Sequence, residues 1–325
     1  MTINLFSVSS DRFISMRISL STLILLIILL AEKGFSQDTV VVQSKKEEFK
    51  TSVKDDSLFS LKSSTGIVPF FIHTMGEQVK APFHMNGKQI LHTAVVLAAT
   101  GILIHFDQDI DKLFRPLKSN NPFLNKWSPE FTQLGDYYGY GIVAGIFGVS
   151  AITKNYKPFH TSILAAQSAI SAGIWVRVGK MLSGRMRPGA TYSDREFNSD
   201  HWFGPFAQFD SNLNRGRSSG AFDAFPSGHT AVAFALATSF AKQYSNHKAI
   251  PVILYSLAGM IGVSRMVEHE HWASDILPAA FIGYLCADQV YRYDKKLKEK
   301  KKTAMWRLYP NYNQSVGFTL IMSPQ

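Results

Sequence analysis

Residues 225–241 read FPSGHTAVAFALATSFA, a Pro-Ser-Gly turn that runs straight into a stretch of Ala, Val, Phe, Leu and Thr without a single charge. The apolar residues show no two-residue alternation, so His229 to Ala241 reads as a buried helix entered through the turn at Pro226-Ser227-Gly228. Five segments of the same character flank it: His92 to Phe106, Tyr137 to Thr153, Thr161 to Val176, Ala249 to Ser264 and Ile276 to Ala287. Together they predict an all-α fold, a six-helix bundle over residues 90–292. Small residues at Gly141, Ala144, Gly145 and Gly148 would let its helices approach closely. The uncharged cores run 12 to 17 residues, short of the roughly 20 that cross a bilayer unaided. The bundle is therefore expected in a membrane, its crossings completed by flanking residues. A soluble, exported helical domain is the alternative.

Composition supports this reading and excludes others. Charged residues make up 18% of the 325, against about 25% in ordinary soluble domains. The chain is also rich in Phe, Tyr, Met and Gly, yet its mean hydropathy is 0.00, polar for a chain mostly embedded in lipid. The single cysteine, Cys286, permits neither an intramolecular disulfide nor a thiolate metal cluster. The net charge of +10 gathers in the tails and in three short motifs with no recognised reading element, so nucleic acid is not an expected partner.

The ends set localisation. Arg12 and Arg17 precede the apolar run Ile18 to Ala31, followed by small residues at Gly34 and Ser36. Residues 1–36 thus resemble an export signal or anchor. Residues 37–89 read as a polar arm and interfacial segment, and 293–325 as a basic flank and tail. The stretch Asp294 to Lys302 (DKKLKEKKK) prefers the cytoplasmic side. Six crossings would then place residues near 90 in the cytoplasm, whereas a cleaved signal would deliver them outside. Weighting the basic tail gives a cell-envelope membrane protein whose functional face points away from the cytoplasm, with a soluble or peripheral periplasmic protein as the alternative. Trp306 to Met322 alternates weakly and reads as one strand without an obvious partner, or as an amphipathic surface segment.

Polar chemistry collects at segment ends. Lys180 and Arg187 lie seven residues apart, nearly two helical turns, before Pro188 ends the regular structure. The 45 residues from Met181 to Phe225 are too long for a plain connection. The turn at Ser227 and Gly228 offers helix-start amides to an anion, although Ser227 could equally cap the helix and His229 could be a buried, hydrogen-bonded histidine. The third station, SRMVEHEHWASD at 264–275, contains Arg265, His269, His271 and Asp275. His271 and Asp275 are four apart, so on one helix face the carboxylate would hold the imidazole. A zinc site is the alternative for two histidines among carboxylates, but the HExxH pattern is absent. In an antiparallel bundle the three stations fall on one side, where cations, amides and histidines can converge on a phosphate-like oxyanion.

These residues resemble the type 2 phosphatidic acid phosphatase (PAP2) superfamily, which also includes class A acid phosphatases and vanadium haloperoxidases. Its three ordered motifs match Lys180 with Arg187-Pro188, then Pro226-Ser227-Gly228-His229, then Ser264-Arg265 with His271 and Asp275. The resemblance implies that Lys180, Arg187, Arg265, Ser227 and Gly228 bind phosphate, that His271 is the nucleophile oriented by Asp275, and that His229 is the acid and base. It implies no metal and no cofactor. The implied substrate is a phosphomonoester or diphosphate of a membrane lipid, with membrane lipids as surroundings and no obligate protein partner. The competing readings are an exported acid phosphatase acting on soluble monoesters and a non-catalytic phosphate-binding membrane protein. Passive anion binding would need the cations but not the two histidines. A haloperoxidase would need a larger architecture than this chain provides.

Overall fold

The computed structural model describes residues 46–52, 66–191, 202–214, 216–217, 220–304, 308–311 and 317–320. The signal-like segment at 1–36 lies outside them, as do residues 37–45 and 53–65 of the arm that follows. By contacts the chain divides into Met1–Lys50 and Thr51–Gln325, and the second unit carries every element below.

The six-helix expectation is corrected: beyond residue 66 the described residues form nine α-helices, in addition to a short helical stretch at 46–52. They are α1 (Ile67–Lys80), α2 (Gly87–Asn120), α3 (Pro122–Leu134), α4 (Tyr137–Thr153), α5 (Tyr156–Ser183), α6 (Pro188–Thr191), α7 (Gly228–Gln243), α8 (Ala249–Val267) and α9 (Ala273–Ala304). The six apolar segments fall within α2, α4, α5, α7, α8 and α9. The other three were hidden because continuous apolarity finds only helices surrounded by apolar matter, while an amphipathic helix shows a stripe. α3, PFLNKWSPEFTQL, is such a case, and Asn121 starts it by accepting hydrogen bonds from the amides of Phe123 (3.0 Å) and Leu124 (3.2 Å). α2 outruns its apolar run for a related reason. A capping box between Asn86 and Gln89 opens it, and the charged stretch from Asp107 onward remains helical to Asn120.

The tail differs too. Leu308–Asn311 (β1) pairs antiparallel with Gly317–Leu320 (β2), Leu308 opposite Leu320 and Asn311 opposite Gly317. The strand expected to be alone finds its partner a few residues on in the same stretch. The Lys-rich sequence forms the last turns of α9.

α7 is the centre of the bundle, packed against α5, α8 and α9. Its contact with α5 and α9 is built from small side chains: Ala231, Ala235, Ala172 and Ala279 are fully buried, with Val176 and Cys286 beside them. α9 comes closest at Gly283, where a Cβ would collide with the Ala231 carbonyl and stand 2.9 Å from the Ala235 nitrogen. Among the described residues two helices, α2 and α8, are long and apolar enough to cross a membrane. Almost none of the apolar stretch of α2 is buried, and Ile90, Leu91, Val95, Leu97 and Ile102 are exposed.

Candidate active site

α5 delivers Lys180 in its last turn and stops at Gly184, which adopts a left-handed conformation at φ 54°. A side chain there would strike the carbonyl of Gly204, so the loop folds directly over the helix end. Arg187 follows on the strand-like stretch before α6, its amide bonded to the Ala221 carbonyl at 2.8 Å. Ser227 and Gly228 start α7, with His229 in its first turn. Arg265 sits in the last turn of α8, and Asp275 in the first turn of α9.

These ends converge. A cleft of about 240 Å³ is lined by Lys180, Arg187, Gly228, His229 and His271, with Asp136 at its wall. Arg265 is buried just outside the lining and reaches the same carboxylate as Arg187. Ser227 is fully buried and does not line the cleft. Its hydroxyl caps nothing: it accepts from Thr230 Oγ1 at 3.0 Å, while its amide donates to the Asp275 carbonyl at 3.1 Å. Ser227 thus ties the start of α7 to the start of α9.

His271 does not share a helix face with Asp275, because α9 begins only at Ala273. The carboxylate folds back over the helix start instead. Its Oδ2 accepts the Trp272 amide at 2.8 Å and lies 3.5 Å from His271 Nδ1. The other ring nitrogen of His271, Nε2, is thereby the one left to face a substrate. His269 takes a positive φ of 57° and turns toward Asp111, 3.8 Å from Nδ1, away from the cleft lining.

Three acidic residues of the site were not legible in the motifs. Asp223 takes both Lys180, 3.3 Å from Nζ, and Arg187, 2.8 Å from Nε and 2.6 Å from Nη2. Lys180 Nζ also donates to the Asp223 backbone carbonyl. Glu270 accepts from Arg187 Nη1 and lies 3.6 Å from Arg265. Asp136, between α3 and α4, stands 3.6 Å from His229 Nε2. Asp223 could have been suspected as the carboxylate just ahead of the Pro-Ser-Gly turn, whereas Asp136 carries no sequence signal.

Charge and burial set protonation. Desolvation draws the Lys180 ammonium down to about 8, against the opposing pull of Asp223. Burial, reinforced by Arg265, Lys180 and Arg187, lowers His229 to about 3. Full burial with the same cations takes His271 well below the ordinary imidazole range. Burial raises Asp275, opposed chiefly by the Arg185 guanidinium. Both histidines are therefore neutral near pH 7, and a lone pair is available on each. Among the described residues no group of three His, Cys, Asp or Glu side chains is placed to hold a metal ion.

A cationic cleft at the ends of packed helices, with two neutral histidines in it, has the chemistry to receive a phosphate-like oxyanion. Residues 161–299 match the PAP2 superfamily. It is 38% identical over 94 residues to the lipid A 1-phosphatase of Porphyromonas gingivalis, an alignment covering 25% of this chain and 21% of the relative. It is 29% identical over 169 residues to a probable diacylglycerol pyrophosphate phosphatase 1 of Schizosaccharomyces pombe, covering 45% and 58%. The chain thus spans about a fifth and somewhat over half of the lengths of these curated relatives. Among solved structures, Aquifex aeolicus LpxE matches with 22% identity over 56% of this chain and 94% of its own, at a TM-score of 0.39. A transmembrane PAP2-type phosphatidylglycerolphosphate phosphatase from Bacillus subtilis matches with 19% identity over 71% and 95%, also at 0.39.

Proposed function

We propose that the protein hydrolyses a phosphomonoester or diphosphate of a membrane lipid through a phosphohistidine on His271, without a metal ion. The observation that carries this is the convergence of Lys180, Arg187, His229 and His271 on one cleft, with Asp275 behind His271. Lys180, Arg187 and Arg265 would grip the non-bridging oxygens, assisted by the amide of Gly228 at the cleft wall, and offset the charge that develops there, while Ser227, whose amide is taken by the Asp275 carbonyl, holds the turn in place. His271 Nε2 would attack phosphorus in line as the bond to the leaving oxygen breaks. Asp275 would accept a hydrogen bond from Nδ1–H, which stays on the ring, and so stabilise the imidazolium character that attack creates. His229 would protonate the leaving oxygen. Burial, and then the surrounding cations, hold His229 neutral; an anionic phosphate offsets those cations and restores the imidazole's basicity, so His229 would take up a proton from solvent as the substrate binds. His229 would then take a proton from water as that water attacks phosphorus and the P–N bond breaks, releasing phosphate and restoring neutral His271.

Lipid is favoured as the substrate because α2 presents an apolar surface beside this machinery, and because both curated relatives carry names of enzymes acting on phosphorylated lipids. In this reading α2 and α8 lie in an envelope membrane, and the cleft faces away from the cytoplasm, opposite the Lys-rich end of α9. A mean hydropathy of 0.00 favours a second reading as an exported phosphatase of soluble monoesters. Purified protein assayed with a short-chain phosphatidate in excess chelator should release phosphate at an undiminished rate. Activity that returns only on adding Mg or Zn would overturn the metal-free mechanism. Release of the protein by osmotic shock without detergent would favour the soluble reading.

A further inference from the structure

Arg185 lies between the two cations of the first motif, yet it is fully buried and does not line the cleft. Its Nη1 donates to Asp275 Oδ1 at 2.6 Å and to Ser274 Oγ at 2.6 Å. Its Nη2 donates to Asp107 Oδ2 at 2.6 Å. Asp107 in turn accepts the Ser274 amide at 3.0 Å and the Ser274 hydroxyl. The guanidinium carbon stands 4.6 Å from the Trp202 ring and 5.6 Å from that of Trp272. Side chains from α2, from the loop after α5 and from the start of α9 thus form one dry knot, in which one cation bridges two carboxylates.

We infer that Arg185 is the positioning residue of the nucleophilic histidine, acting through Asp275. This rests on the reading of His271 as nucleophile. With Oδ1 held by Arg185, the Asp275 carboxylate cannot rotate, and Oδ2 is left to the Trp272 amide and to His271 Nδ1. Arg185 also opposes the burial that would protonate Asp275, keeping the carboxylate an acceptor for the imidazole proton. Two carboxylates against one guanidinium leave a net negative charge behind the ring, where positive charge develops during attack on phosphorus. Breaking such a buried cluster leaves an uncompensated charge, so its geometry resists relaxation. Asp107, 78 residues earlier on α2, anchors the far side of the guanidinium.

The test uses full-length protein carrying Arg185→Gln, Arg185→Lys, Asp275→Asn and the double variants, with His271→Gln measured in the same assay. Arg185→Gln should lower kcat by about 10²-fold through lost alignment, with KM changed less than about threefold. Arg185→Lys, which keeps the charge but not the planar fork, should recover part of that loss. In the Asp275→Asn background each Arg185 substitution should cost less than about threefold, because residues acting as a unit are non-additive. The acid limb of kcat/KM should move to higher pH in Arg185→Gln, since losing the guanidinium raises the pKa of an Asp275 that must be ionised. Equal losses in both backgrounds, or an unmoved acid limb, would overturn the inference and leave Arg185 a structural residue. If Arg185→Gln does not fold, the coupling of Arg185→Lys with Asp275→Asn decides the matter alone. Full turnover by His271→Gln would instead overturn the proposed mechanism, a result distinct from additivity at Arg185.

Discussion

Arg185 and Arg187 stand two residues apart, and each is held by two carboxylates, yet they occupy opposite regimes. The partners of Arg185, Asp107 and Asp275, are as fully buried as the guanidinium itself. The Arg187 side chain is 24% exposed and its partner Glu270 37%, at the mouth of a cleft. Water and anions can compete for the second set and not for the first. Coulomb attraction that is screened at the mouth is not screened in the knot behind His271. The comparison teaches that one motif places one arginine where a ligand can replace its partners and another where nothing can, which is what the proposed mechanism asks of a grip and of a brace.

His271 stands where the two regimes meet, and its replacement should have the largest effect. His271→Gln should lower kcat by about 10⁴-fold or more, as loss of a nucleophile does, whereas His269→Gln, which changes a ring turned toward Asp111, should lower it by less than about tenfold. The reverse order in steady-state assays would show that the brace serves the wrong ring.

A smaller effect is expected at the mouth. Glu270 occupies Arg187 and Arg265 in competition with a phosphate, so Glu270→Gln should strengthen inhibition by inorganic phosphate by about three- to tenfold, the worth of a partly exposed ion pair. A weakened inhibition constant would mean that Glu270 aims the arginines rather than contending for them, and the two regimes would be more alike than they look.

The mildest effect concerns pH. Lys180 must carry its proton to bind phosphate, and burial has brought that proton's pKa to about 8, so kcat/KM should fall as pH rises through about 8. In Lys180→Arg, whose guanidinium stays charged, that limb should move to higher pH. A pH profile in which the basic limb stays near 8 in the variant would assign it to another group.

How much of this was legible in the sequence depends on the distance over which the information acts. The motif positions could be read because each sits at the end of an apolar segment, and Lys180, Arg187, His229 and His271 do meet in one cleft. α4 coincides with its apolar run because apolarity and helix end together at Thr153. α1 and α3 were missed, and α2 was cut short, because polar faces interrupt the apolar pattern while the backbone remains helical. The one-face geometry of His271 and Asp275 failed because four-residue spacing says nothing about where a helix starts. Asp107 and Asp136 were silent for a different reason: a counterion recruited across the fold leaves no local pattern, only an ordinary acidic residue on another element.

The meeting of α7 and α9 at Gly283 has a meaning for alignment. His229 rides on the first helix and Asp275 on the second. Gly283 is eight residues along α9 from Asp275, about 12 Å at the helical rise, and a Cβ there would collide with the Ala231 carbonyl, two residues from His229. In the proposed mechanism, the gauge between His229 and the carboxylate behind His271 is set by a hydrogen atom standing where any other residue has a carbon. The two helix starts keep their spacing the way machined parts do, by metal removed at a single seat, with the tolerance fixed at a point well away from the surfaces that work.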